Sequence, residues 1–396
     1  MLKIQKFGGT SLGSIERIKR VAEFVKESLK ESKVVVVASA MAGETDKLIN
    51  LAKAVTELPD PRELDSLMST GEQVSSALLA IALNCVGAKA QSLLSSQVKI
   101  LTDSDFNCAQ IIDIDSSNLL ALLQEGIVPV IAGFQGVDES GNITTLGRGG
   151  SDTTAVAIAC GLKEFFPEIV CEIYTDVDGV YSADPRIIEN PRKWKSVSYE
   201  EMLEFAGSGA KVLHPRSVAL AAKYQIPIVV KSSFTFVEGT VITSEQLEAE
   251  PVRGVALDEN QGLLTFSVKD DLYFFKVFDL LQEIFIDIIS LVRKNGELIV
   301  SLTTRKVDLE KAKRLIVSLP SNSVQLIDAR PDVSKVTIIG LGMLSQHGIA
   351  NSIFDALHRE GISPLVISTS EIKISIIVNR QHGERACRTI HANFNL

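Results

Sequence analysis

Over its first 235 residues the chain alternates two hydrophobic patterns. Val34-Val35-Val36-Val37, Ile127-Val128-Pro129-Val130-Ile131, Cys171-Glu172-Ile173-Tyr174 and Ile226-Pro227-Ile228-Val229-Val230 are short, β-rich runs, as expected of strands covered on both faces. Pro129 and Pro227 each remove a ladder donor and argue against a central place for their strands. Between the runs, Ile15, Ile18, Ala22, Val25 and Leu29 recur at steps of three and four behind Ser14, which predicts a capped amphipathic helix. Ser198-Tyr199-Glu200-Glu201 has capping-box spacing ahead of Met202, Phe205 and Ala206, and His214-Pro215 places proline at the start of a helix running to Lys223. Strand and helix in alternation predict an α/β fold, a mostly parallel sheet between two helical layers.

The pattern breaks at Phe236-Val237-Glu238-Gly239 and again at Pro251. Beyond it the sequence echoes itself. Leu264-Thr265-Phe266 corresponds to Val336-Thr337-Ile338, Val277-Phe278-Asp279-Leu280-Leu281 to Ile353-Phe354-Asp355-Ala356-Leu357, and Glu297-Leu298-Ile299-Val300-Ser301 to Glu371-Ile372-Lys373-Ile374-Ser375. Each copy reads strand, helix, strand, which predicts two small βαββαβ sandwiches rather than a solenoid.

A length of 396 residues accommodates two or three domains, and 45% hydrophobic with 22% charged residues is a globular balance. Forty basic against forty-nine acidic residues, net −9, disfavour nucleic acid and anionic lipid as partners. No apolar stretch approaches the ~20 residues of a membrane span, and Met1 to Lys6 leads straight into a strand pattern, so a cytoplasmic protein is expected. Cys85, Cys108, Cys160, Cys171 and Cys387 form no C-x-x-C pair and read as reduced, mostly buried thiols. His214, His347, His358, His382 and His391 form no i, i+4 pair, which leaves metal ligation and Ser-His-Asp chemistry without support.

Three segments carry candidate chemistry. Lys6-Phe7-Gly8-Gly9-Thr10-Ser11 leaves a strand and enters a helix. Its glycines suit close approach of a phosphate to backbone amides, with Lys6 able to reach transferring oxygens, although a tight turn with a surface lysine has the same pattern. It is not a P-loop, since Ser14 stands where that motif needs lysine. In Thr145-Leu146-Gly147-Arg148-Gly149-Gly150-Ser151-Asp152, ahead of a helix from Thr153 to Cys160 that stops at Gly161, Arg148 offers a planar fork to a carboxylate. Asp152 can orient a lysine, hold Mg²⁺ or simply favour the helix dipole. Thr175-Asp176-Val177-Asp178-Gly179-Val180-Tyr181-Ser182-Ala183-Asp184-Pro185-Arg186 leaves a strand end where open parallel sheets gather ligands. Ser39 to Thr45 follows the second strand, and Glu72 opens a helix rich in Ala, Ser and Leu, where it needs a partner such as an ammonium or caps its own helix.

In this order the segments, together with Lys211-Val212-Leu213-His214-Pro215 and the tail motif Ile367-Ser368-Thr369-Ser370-Glu371-Ile372-Lys373-Ile374-Ser375, resemble the aspartate kinases of the amino-acid kinase family along the whole chain. The resemblance implies a three-layer αβα catalytic domain over residues 1–245 and tandem ferredoxin-like ACT domains over 250–396. The first ACT domain would span about 264–328 and the second about 250–262 plus 333–396. It implies transfer of the ATP γ-phosphoryl to the β-carboxylate of L-aspartate, with Mg²⁺ carried by the nucleotide and no protein metal site. Lys6 and Asp152 would be catalytic. Arg148, Glu72, Ser39, Thr45 and Ser151 would bind aspartate, and Lys6, Phe7, Gly8, Gly9, Thr10, Thr175, Asp176, Tyr181, Asp184, Arg186, Lys211 and Val212 would surround ATP. Feedback by lysine or threonine, or both, and a homo-oligomer built through the ACT domains are implied as well. The first copy departs from the pattern: Lys269-Asp270-Asp271-Leu272-Tyr273-Phe274 lacks the glycine that the second keeps in His347-Gly348.

Overall fold

A computed structural model describes residues 1–210, 212–235, 237–244, 250–344 and 346–396. Two compact units divide the chain: residues 1–180, 193–206 and 211–246 form the first, and 181–192, 207–210 and 247–396 the second. Phe236 and residues 245–249, near the expected boundary, lie outside the described residues.

The first unit contains β1 (Leu2–Phe7), α1 (Ile15–Ser28), β2 (Lys33–Ala38), α2 (Glu44–Val55), α3 (Pro61–Met68), α4 (Thr70–Cys85), β3 (Ala90–Leu93), α5 (Ser95–Val98), β4 (Ile100–Thr102), β5 (Ile111–Ile114) and α6 (Ser117–Gln124). It continues with β6 (Val128–Ala132), β7 (Gln135–Val137), β8 (Ile143–Thr145), α7 (Gly150–Leu162), β9 (Ile169–Thr175), β10 (Ser196–Ser198), α8 (Tyr199–Gly207), α9 (Pro215–Tyr224), β11 (Ile228–Ser232) and β12 (Thr240–Thr243). The main sheet runs β10-β12-β11-β9-β1-β2-β6-β3, and a smaller one runs β5-β4-β7-β8. All pairs in the main sheet are parallel except β11 with β12. Pro129 sits inside this sheet despite its missing donor because pairing of β6 with β2 begins only at Val130.

The central strands are buried on both sides, as their unbroken apolar runs require. On one face Phe7 stacks on Tyr174 at 4.8 Å between ring centres and α1 and α4 cover them, with Ile18, Val21, Val25, Leu79 and Leu83 in the core. The same face buries Glu172, which accepts hydrogen bonds from Lys231 Nζ (2.7 Å), Gln5 Nε2 (2.8 Å) and Tyr174 OH (2.9 Å). Burial pushes the Glu172 carboxyl up, but Lys231 and these donors outweigh it and hold it below the usual range.

Local signals read as expected at several helix starts. Ser14 accepts from Arg17 N, and Ser198 and Glu201 exchange the two bonds of a capping box. Ile15 is an exception, being 47% exposed at the first turn of α1. Gly161 does not stop α7, which runs through it to Leu162. There a Cβ would come within 2.8 Å of Ser116 Oγ, so close packing rather than chain reversal requires the glycine. Of the five cysteines, all free, Cys85 and Cys108 are exposed, contrary to the expectation of mostly buried thiols. No helix among the described residues is long and apolar enough to cross a membrane.

In the second unit β13 (Gly254–Val268), α10 (Asp271–Leu281), β14 (Ile286–Lys294), β15 (Glu297–Arg305), α11 (Leu309–Val317), β16 (Val324–Ile339), α12 (Ile349–Arg359), β17 (Val366–Thr369), β18 (Lys373–Asn379) and α13 (Gly383–Asn393) follow one another. The sequence repeat becomes two βαββαβ halves that share their two long strands, giving one antiparallel sheet in the order β14-β15-β13-β16-β18-β17. Gly254 to Asp258 pairs with the far end of β16, and Gln261 to Val268 pairs with β15 and with the near part of β16. One core lies with α10 and α11 around Phe266, Val300 and Leu302, another with α12 and α13 around Ile338, Ile353 and Ile390.

Truncating the fully buried Leu79 to Ala leaves a void between α4 and the main sheet. It is expected to lower stability by about 2–5 kcal/mol, read as a shift in the urea midpoint.

Candidate active site

Strand alternation places the site. Phe7 points into the core, so Lys6, one residue earlier on the central strand and in register with Val37 and Ile173, faces the opposite side of the sheet. There its Nζ lies 2.7 Å from Asp152 Oδ1, with side-chain exposures of 11% and 12%. Such a pair is costly to desolvate unless both charges find each other or a ligand. Asp152 stands in the first turn of α7, which begins at Gly150, three residues before the expected start. Gly149 caps it at φ +67°, and a Cβ there would fall 2.2 Å from His214 Cβ, so both conformation and space require glycine.

Two cavities meet at this ion pair. One, of about 560 Å³, is lined by Lys6, Ser39, Thr45, Arg148, Ser151 and Asp152, with Ile49, Leu64, Met68 and Phe134 as its apolar wall. The other, of about 430 Å³, is lined by Lys6, Gly8, Gly9, Thr10, Asp152, Thr175, Asp176 and Val212. A Cβ on Gly9 would meet the Ala40 carbonyl at 2.9 Å, so the turn can pack this closely against residues 40–42 only with glycine there. Arg148 makes no ion pair with the described residues and its guanidinium is open to a ligand.

Glu72 lies 3% exposed behind the first cavity rather than on its lining. Its Oε1 accepts from Ala40 N at 3.0 Å, while Oε2 has no hydrogen-bond partner among the described residues. Burial pushes its pKa up to about 7, against the opposing pull of the Ala40 amide and Lys6. A buried carboxylate with one empty oxygen is matched to an incoming cationic donor.

Some of the expected site residues are not among those lining the two cavities. Phe7 is wholly buried and contributes its carbonyl, which accepts from Ser39 N at 3.1 Å. Tyr181, Asp184 and Arg186 belong to the second compact unit, where Asp184 and Arg186 pair with each other at 2.5 Å. Lys211 lies outside the described residues. Conversely, Asp46, Ile49, Leu64, Met68, Asn107 and Phe134 line the first cavity without having been singled out. They come from α2, α3 and loops of the smaller sheet with no glycine motif to mark them. The start of α3 is capped locally, the Asp60 side chain accepting from Glu63 N ahead of Pro61.

Residues 1–232 match the model of the amino acid kinase family, and residues 336–394 that of an ACT domain. Over its full length the chain is 45% identical to an aspartate kinase of Pseudomonas putida, covering 98% of it. The chain belongs to the aspartate kinases. It is likewise 44% identical to an aspartokinase of Helicobacter pylori, with both proteins covered completely. Among solved structures of aspartate kinases, Escherichia coli aspartokinase III in complex with aspartate and ADP in the R-state is similar at a TM-score of 0.85 and 25% identity, both chains fully covered. The same enzyme with lysine and aspartate in the T-state is similar at 0.75 and 26% identity over 99% of each chain.

Because the folded Glu72 titrates near 7 instead of 4.5, the folded chain keeps a proton between those values that the unfolded chain has lost, and stability falls as pH rises through that window. Glu72→Gln, which keeps the acceptor for Ala40 N, is expected to raise the melting temperature of the ligand-free protein at about pH 8 and to leave it nearly unchanged at about pH 5. An equal effect at both values would contradict the raised pKa.

Proposed function

We propose that this aspartate kinase transfers the γ-phosphoryl group of ATP to the β-carboxylate of L-aspartate, the first step toward lysine, threonine and methionine. A β-carboxylate oxygen bonds to Pγ, the bond from Pγ to the bridging oxygen breaks, and ADP leaves 4-phospho-L-aspartate behind. The observation that carries this reading is the Lys6–Asp152 pair at the junction of the two cavities. An ammonium there neutralises oxygens in flight between a donor in one cavity and an acceptor in the other, and phosphoryl transfer asks for little else than positioned charge. Asp152 holds the Lys6 side chain toward that point.

In the larger cavity Arg148 takes the α-carboxylate, Glu72 the α-ammonium through its empty oxygen, and Ser39, Thr45 and Ser151 complete the polar lining. In the smaller one the Gly8-Gly9-Thr10 turn faces the phosphates beside Thr175, Asp176 and Val212. The family resemblance also assigns Tyr181, Asp184, Arg186 and Lys211 to ATP, by their match to the family's motifs in sequence alone. By family resemblance Mg²⁺ would come with the nucleotide, where it would spread the charge of the phosphates.

We assign residues 1–245 to the catalytic domain and 250–396 to tandem ACT domains, the first at about 264–328 and the second at about 250–262 plus 333–396. Lysine, threonine or both would act there as feedback effectors. Phe275, Phe285, Leu291 and Val292 are 48–78% exposed on the first half of that unit, which supports association between copies through it.

Purified protein with Mg-ATP is expected to release ADP with aspartate and not with glutamate or UMP. A response confined to either alternative acceptor would overturn the reading. Repeating the assay with lysine, threonine or both identifies the effector. Lys6→Ala is expected to lower kcat by a few kcal/mol of barrier, whereas Arg148→Ala mainly raises the aspartate KM. The reverse pattern would exchange the two roles. Aspartate affinity should strengthen as pH rises through about 7, because Glu72 must lose its proton to receive the ammonium. In Glu72→Gln this dependence should flatten.

A further inference from the structure

The turn that presents Arg148 is braced from two sides by charged groups that line neither cavity. From α3, the wholly buried Asp65 accepts from Asn107 N (3.1 Å to Oδ1, 2.9 Å to Oδ2), from Thr145 N (2.7 Å) and from Thr145 Oγ1 (2.7 Å). From the first turn of α9, Arg216 donates to the carbonyls of Leu146 (2.8 Å) and Ala109 (2.6 Å). Both therefore grip the same two segments, residues 107–109 and 145–146, and Ala109 N joins those segments directly to Thr145 O at 2.9 Å. The anion collects the amide and hydroxyl donors and the cation collects the carbonyls. Gly147, with Arg148 next to it, follows at once, and a Cβ on it would meet Asn107 O at 2.9 Å.

We propose that Asp65 and Arg216 are positioning residues that fix the Gly147-Arg148-Gly149 turn at the depth where its guanidinium receives the substrate carboxylate. The inference rests on the assignment of Arg148 to that carboxylate. Among the described residues Asp65 has no cationic partner: burial raises its pKa, and the amides and hydroxyl of the braced segments pull the other way. A buried carboxylate kept for neutral donors is an expensive way to build a fold. It is well suited to holding one turn rigid, because a carboxylate accepts at every lone pair whereas an asparagine would turn an N–H toward another N–H. Arg216 is suited in the complementary sense, since its rigid planar fork aims separate N–H groups at the carbonyls of two segments, where a lysine has a single nitrogen to share between them.

The test compares steady-state kinetics of Asp65→Asn and Arg216→Lys with wild type and with Arg148→Ala. Arg216→Lys keeps the charge at a partly exposed position and retains the fold if Asp65→Asn does not. Either brace variant is expected to raise the aspartate KM about tenfold while the ATP KM and kcat at saturating aspartate stay within about threefold. In an Arg148→Ala background, Arg216→Lys is expected to raise the aspartate KM no further, because it acts through the side chain already removed. An aspartate KM unchanged by Arg216→Lys, or an equal rise with and without Arg148, would overturn the inference. An aspartate KM unchanged by Arg148→Ala would instead overturn the assignment of Arg148 itself, so the two failures are distinct.

Discussion

The structure is organised around a lysine and an aspartate that meet where two cavities join. Lys6 is held by the central strand and Asp152 by the first turn of α7, so the two most rigid kinds of backbone in the first unit fix the 2.7 Å contact between them. The helix N-terminus favours the negative charge, and the carboxylate in turn keeps an otherwise flexible lysine pointed at one spot. A ligand on either side therefore meets a charge whose position is set before it arrives, which is what electrostatic stabilisation of a transferring group needs.

The opposite face of the same strands shows how the surroundings decide what a buried ion pair does. Glu172 has Lys231, Gln5 and Tyr174 on its oxygens, so its charge is spent on holding β1, β9 and β11 together. Glu72, equally buried, keeps one oxygen unmatched beside a cavity and its pKa rises. Saturation marks the structural carboxylate, and incompleteness the one that waits for a partner.

In the second unit the sharing of β13 and β16 has a physical consequence. Each long strand carries side chains of both cores, so the two ACT-like halves cannot shift against each other without sliding a continuous ladder of hydrogen bonds. A change forced on one half is then felt in the register or twist of the other, which suits a regulatory module better than two beads on a string would.

Much of the candidate site was legible because its chemistry is local in sequence. Lys6-Phe7-Gly8-Gly9 and Gly147-Arg148-Gly149 declare their backbone needs in consecutive letters, and the parallel sheet follows from unbroken apolar runs. The same contiguity carries no side-chain direction: strand alternation turns the Phe7 side chain away from the motif it belongs to and into the core. Asp65 and Arg216 left no trace, since their partners lie 80 residues away at Thr145 and 70 and 107 residues away at Leu146 and Ala109. The amino-acid sequence by itself determined the elements, the repeat and the charged groups available. Only the tertiary structure decided which of them converge, which carboxylate is left with an empty oxygen and why Gly149 must be glycine, because burial and distance are properties of packing between segments that the order of residues does not contain.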